Sequence, residues 1–112
     1  MNWNAADLAE RLGGNQQLAH ELVAIFLAEY PAMLQTVRIS VASDDRRSIS
    51  RSAHAIKGTV ANFVDAGPTI TAFAIERAIA EARLGDVPAL VEQLEREVNE
   101  LAAAMRRHLG NQ

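Results

Sequence analysis

Apolar residues recur along most of this chain at intervals of three, four or seven, the spacing that places them on one face of an α-helix. The longest such stretch holds Leu18, Leu22, Ile25, Phe26, Met33, Leu34, Val37 and Val41. Asn15, just before it, is a residue type that caps helix N-termini. Pro31 falls inside the pattern, where it removes one backbone hydrogen bond, yet the apolar register resumes beyond it, so one bent helix is expected. Ahead of this helix, Asn4 with Asp7 three residues later opens a short helix that buries Leu8 and Leu12 and is closed by Gly13-Gly14. Ser43-Asp44-Asp45 breaks the long pattern, and Asp45 caps a third helix running to Phe63. Pro68 suits the first turn of a fourth, which carries Ile70, Phe73, Ala74 and Ile75 towards Leu84 and stops at Gly85. Asp86 caps a fifth, with Pro88 in its first turn, a stripe formed by Val87, Leu90, Val91, Leu94, Val98, Leu101, Met105 and Leu109, and Gly110 as the residue just past its end. The connections are short, so successive long helices run antiparallel. The expectation is an all-α, up-down four-helix bundle with the short first helix as a lid.

Composition narrows the chemistry. The chain has 112 residues, enough for one domain with a single core spanning residues 1–112. It has no cysteine, which excludes a disulfide scaffold, a thiolate nucleophile and a zinc-thiolate site. With 14 acids against 11 bases and a net charge of -3, it is a poor candidate for general nucleic-acid binding. The first residues lack a cationic segment followed by an apolar one, and no apolar run is expected to approach the roughly 18 residues of a membrane span. A cytoplasmic monomer away from membranes is therefore expected. His20 and His108 form no i, i+4 pair of the kind that binds metal. Glu21, Glu29, Glu92, Glu95, Glu97 and Glu100 fall opposite the apolar stripes as solvated surface, while Trp3 and Phe26 are expected to pack the lid on the bundle.

The third helix is unlike the others. At about 100° per residue, Ile49, Ala53, Ile56, Val60 and Phe63 share a wedge of roughly 80°, and His54 lies about 140° from its centre, on the solvent side. Ser50 and Gly58 stand one turn before and after His54, Ala61 two turns on, and Arg47, Arg51 and Lys57 flank it. Glycine inside a helix costs about 1 kcal/mol relative to alanine, so the bare position at Gly58 leaves room for a partner to come close. No acid occurs between Arg46 and Val64, and Lys57 is the only lysine in the chain. A phosphoryl group on His54 would be stabilised by that field.

The string His54-Ala55-Ile56-Lys57-Gly58-Thr59-Val60-Ala61-Asn62-Phe63 resembles the signature of the histidine-containing phosphotransfer (HPt) domains of multistep phosphorelays. LVAIFLAEYP over Leu22–Pro31, Asp45 nine residues before the histidine, and Gly85-Asp86 before the last helix are similar to the family pattern as well. Val64 departs from it, standing where the family often has glycine. The resemblance implies that His54 accepts a phosphoryl group through Nε2 from a receiver-domain aspartate and returns it to another. It further implies that Lys57, with Arg51 and Arg47, steadies the phosphoryl oxygens, and that Gly58, Ala61 and Ser50 keep access open. The partners would be receiver domains of response regulators and hybrid histidine kinases, with Mg²⁺ held in the receiver's acidic pocket and no cofactor or metal on this chain. Such a carrier needs no kinase activity of its own. Two other readings remain at this point: an adaptor bundle docking an acidic partner through the basic third helix, and the phospho-accepting domain of a chemotaxis-type kinase.

Overall fold

The computed structural model describes residues 3–110. Five α-helices follow one another: α1 (Ala5–Arg11), α2 (Gln16–Ala42), α3 (Arg46–Val60), α4 (Pro68–Ala80) and α5 (Val87–Gly110), with a 3₁₀ turn over Leu84–Asp86 ahead of the last. The four long helices form the antiparallel bundle the periodicity predicts, with α3 packed between α2 and α4 and α5 closing the ring against both. It is an elongated body of 44 × 20 × 19 Å.

Local signals explain the starts. Asn4 Oδ1 accepts from the Ala6 amide at 2.8 Å, Asn15 Oδ1 from the Leu18 amide at 2.9 Å, and Asp45 Oδ1 from the Ser48 amide at 3.3 Å, each satisfying a donor that the first helical turn leaves free. The Ser48 hydroxyl adds a second bond to Asp45 at 2.8 Å, and together the two hold that carboxyl below its ordinary range. A depressed carboxyl stabilises the fold above its unfolded value and stops doing so as pH falls through the folded one, so this cap weakens only in acid. Gly13 and Gly14, at φ +71° and +83°, close α1, with the Gly14 amide donating back to the Ala9 carbonyl at 2.8 Å.

The core takes Val23, Phe26 and Val37 from α2, Ile49, Ala53, Ile56 and Val60 from α3, Ala72 and Ile75 from α4, and Leu94, Val98, Leu101 and Met105 from α5. Phe26 stacks on Tyr30 and tilts against Phe63, with ring centroids 5.4 and 5.3 Å away. It shares one buried cluster with Leu8 and Ala9 of the lid, and Trp3, packed against that cluster, meets His108 edge-on at 5.7 Å. Ile56 is fully buried on the opposite side of α3 from His54. Ile56→Ala is expected to lower unfolding free energy by about 2–5 kcal/mol, read from denaturant midpoints, and a loss below about 1 kcal/mol would contradict this packing.

Several boundaries and faces differ from the sequence reading. α3 stops at Val60, and Ala61 to Phe63 form a turn that carries Phe63 into the core. α4 stops at Ala80 because Ala82 turns to φ +58° and Arg83 pairs with both Glu81 and Asp86 in a tight connection. Asp86 therefore belongs to the 3₁₀ turn and receives Arg83 Nη1 at 2.7 Å instead of capping α5, and Gly110 is the last residue of α5 rather than one beyond it. Leu12 is only half-buried, and Leu18, Ile25, Ile70 and Phe73 are exposed. On α2 the buried line runs through Ala19, Val23, Phe26, Tyr30, Leu34 and Val37, so intervals of three and four had merged two neighbouring stripes. Of the six glutamates assigned to open surface, Glu95 and Glu97 are half-buried; the first takes both arms of the Arg38 guanidinium and the second the Thr71 hydroxyl. By length and composition α2, with mean hydropathy 1.3, could cross a membrane; in this fold it supplies a full line of core residues to the bundle.

Candidate functional site

The amphipathic division of α3 decides what its outer face presents. With Ile49, Ala53, Ile56 and Val60 turned inward, His54 is driven outward, its side chain 70% exposed. Arg47, Arg51 and Gly58 are exposed on the same helix and Ala61 in the turn just after it, while Ser50 and Lys57 are half-buried. All seven residues singled out from the sequence thus border one face. The site is a flank and not a cleft: the acid-lined hollow between α1, the α3–α4 loop and α5 contains none of them. Among the described residues no cluster of three or more His, Asp or Glu could hold a metal ion.

The sequence reading missed one residue here. α3 offers no carboxylate, but α4 runs alongside it and brings Glu76, whose Oε2 lies 3.2 Å from His54 Nδ1 and whose Oε1 lies 2.8 Å from Lys57 Nζ. The contact with Lys57 is an ion pair without hydrogen-bond geometry, so Oε1 has charge compensation but no directed donor. A carboxylate only accepts, so this contact is a hydrogen bond when Nδ1 carries a proton, and in the neutral ring of that tautomer the lone pair is on Nε2. The contact occupies Nδ1 and leaves Nε2 without a partner among the described residues. Lys57 is held from a second direction by the Phe73 ring, 4.9 Å from its ammonium, and Arg77 approaches the same ring at 5.9 Å. The one signal in the sequence was that Glu76 is the only acid between Pro68 and Ala80, in a stretch otherwise apolar apart from two threonines and Arg77.

At Gly58 a methyl group would meet nothing within 4 Å, so no neighbour in the bundle requires the glycine. The gap lies one turn along from the imidazole, open to solvent. An exposed imidazole with a carboxylate at Nδ1, nearby cations and a bare approach together suit a group transfer between macromolecules.

The sequence model of the Hpt domain matches residues 21–104. This chain belongs to the Hpt domain family. The match covers every residue of the flank described above. No curated protein matches the chain in sequence. Two solved structures share the Hpt fold. One is histidine-containing phosphotransfer protein B from Pseudomonas aeruginosa PAO1, with 19% identity, TM-score 0.87, and 98% of this chain and 96% of that one covered. The other is the HPT domain of a sensor hybrid histidine kinase from Shewanella, with 15% identity, TM-score 0.83, and coverages of 97% and 94%. As a member of the Hpt family the chain is a phosphorelay phosphocarrier, and the adaptor reading is not favoured.

Proposed function

We propose that His54 is the phospho-accepting residue of this carrier and that its Nε2 exchanges the phosphoryl group with receiver-domain aspartates. The observation that carries the reading is the Nδ1 contact with Glu76. In the forward step the Nε2 lone pair attacks phosphorus, the bond from phosphorus to the aspartate oxygen breaks, and the carboxylate leaves with the electron pair. Nδ1 keeps its proton throughout, so the ring becomes cationic as the new bond forms. Glu76 faces that developing charge, and Lys57, with Arg51 and Arg47, faces the phosphoryl oxygens. Catalysis of this kind is positioning and charge balance, and both can be supplied by side chains on two packed helices.

The carrier has no part in making the acyl phosphate, and we assign Mg²⁺ to the receiver's pocket and the protein to the cytoplasm as a monomer. Incubation with a phosphorylated receiver should label the chain with an acid-labile, base-stable phosphate, and incubation with ATP alone should not. Labelling from ATP alone would overturn the view that it is not a kinase, and acid-stable label would overturn the phosphohistidine.

Removing the Nδ1 acceptor should slow the step without removing the nucleophile. Glu76→Ala is expected to reduce the single-turnover rate about tenfold, equivalent to about 1.4 kcal/mol of barrier. ¹⁵N shifts of the imidazole should move at the same time from the Nδ1–H form towards a tautomer mixture, with Glu76→Gln, which keeps an acceptor oxygen, in between. An unchanged rate with an unchanged tautomer would remove Glu76 from the mechanism.

A further inference from the structure

Lys57 is more enclosed than a surface lysine usually is. Its side chain is 23% exposed, against 64% for Arg38 and 59% for Arg77, although all three sit in ion pairs on the bundle surface. Two groups of α4 hold it. Glu76 Oε1 lies 2.8 Å from Nζ, and the Phe73 ring, one turn earlier on the same helix, has its centroid 4.9 Å from Nζ. Phe73 is itself 47% exposed while its neighbours Ala72 and Ile75 are fully buried, so the core gains little from this ring.

The two holders treat the charge differently. A carboxylate neutralises an ammonium. An aromatic face attracts it through the ring quadrupole and carries no net charge, so the field of the cation still reaches outward. The contact with Glu76 also lacks hydrogen-bond geometry, so no directed bond has to break before a Lys57 N–H turns to another oxygen. Without the ring, the four-carbon stem would spread over many rotamers, and ordering it would add to the barrier of the transfer step.

We propose that Phe73 is a positioning residue for the phosphoryl transfer: its ring keeps the Lys57 ammonium ordered, charged and available one helical turn from His54. The proposal rests on His54 as the phospho-accepting residue and adds how the cation beside it is preorganised. Phe73 acts through Lys57 and needs no contact with the reacting atoms. Arg77 approaches the same ring at 5.9 Å, but it pairs with Glu81 at 3.4 Å, whereas Lys57 shares the Glu76 carboxylate with His54. Lys57 is thus the cation through which the ring bears on the imidazole.

Phe73→Leu keeps an apolar side chain and removes the π face; Phe73→Tyr keeps both. Wild type and variants are each given phosphorylated receivers and, separately, phosphoramidate, a phosphodonor too small to need docking, and labelling of His54 is followed in single turnovers. Phe73→Leu is expected to slow labelling about threefold with both donors, the size of effect a part-exposed cation–π contact gives, and Phe73→Tyr to match wild type. In a Lys57→Met background Phe73→Leu should cause no further loss, since the ring then has no ammonium to position. Ring-fluorinated phenylalanines at position 73 keep the shape and weaken the π face, so labelling should slow stepwise with each fluorine, free of any folding defect in the leucine variant. Slowing with receivers alone would make Phe73 a docking contact, and equal slowing in the Lys57→Met background would detach it from Lys57; either result overturns the proposal, as does a wild-type rate throughout the fluorinated series. Wild type that phosphoramidate labels on His54 but no receiver labels would overturn the phosphocarrier reading instead, and the phosphoramidate rates would still decide the role of Phe73.

Discussion

His54→Gln should leave a folded protein that no phosphorylated receiver can label. Glutamine keeps a polar group of similar reach on the outer face of α3, but its amide nitrogen has no available lone pair, so the nucleophile is gone rather than weakened. The side chain is 70% exposed and, among the described residues, its polar partner is Glu76, so unfolding free energy should stay within about 0.5 kcal/mol of wild type. The measurement is phosphate incorporation over time alongside a denaturant titration. Label retained at the wild-type rate would move the phosphoryl site to another residue, with His20 and His108 the next to test.

Gly58 should give the opposite signs for stability and function. Gly58→Leu places a good helix former where glycine costs about 1 kcal/mol, in space that the bundle leaves empty, so the melting temperature should rise. The same side chain stands one turn from His54, in the path of a receiver. A misplacement of about 1 Å in a transfer step costs on the order of a hundredfold, and the expected fall in receiver-dependent rate is at least that large. Phosphoramidate labelling should persist. A variant that is more stable and equally fast with receivers would show that the open position is not an approach route. This glycine is retained at a cost to the fold, a sign that the surface is shaped for a partner.

Much of this was legible beforehand because it depends on local physics. The caps at Asn4, Asn15 and Asp45 act through bonds to residues two or three positions away, and the inward wedge of α3 follows from helical geometry alone. Since the outward placement of His54 is the complement of that wedge, it was readable too. What escaped depends on neighbours distant in sequence. Glu76 meets His54 across 22 positions because α3 and α4 pack side by side, which no spacing rule along one helix can report. The exposure of Ile70 and Phe73 has the same origin: α4 has apolar residues around much of its circumference, and only packing decides which of them are covered. The end of α4 was misjudged because Ala82 adopts a left-handed conformation unusual for alanine, stabilised by ion pairs of Arg83 on both sides.

If His54 carries the phosphoryl group as proposed, the contact of Glu76 with Nδ1 also bears on the order of events in a relay. With Nδ1 occupied by α4, the proposed transfer has a single atom, Nε2, to use, and whichever receiver covered it would exclude every other. Donor and acceptor would then take turns, in a ping-pong exchange through the free phosphorylated carrier. An idle receiver parked on that flank then acts as a competitor, so the flux depends on how quickly each visitor leaves as well as on how quickly phosphorus moves.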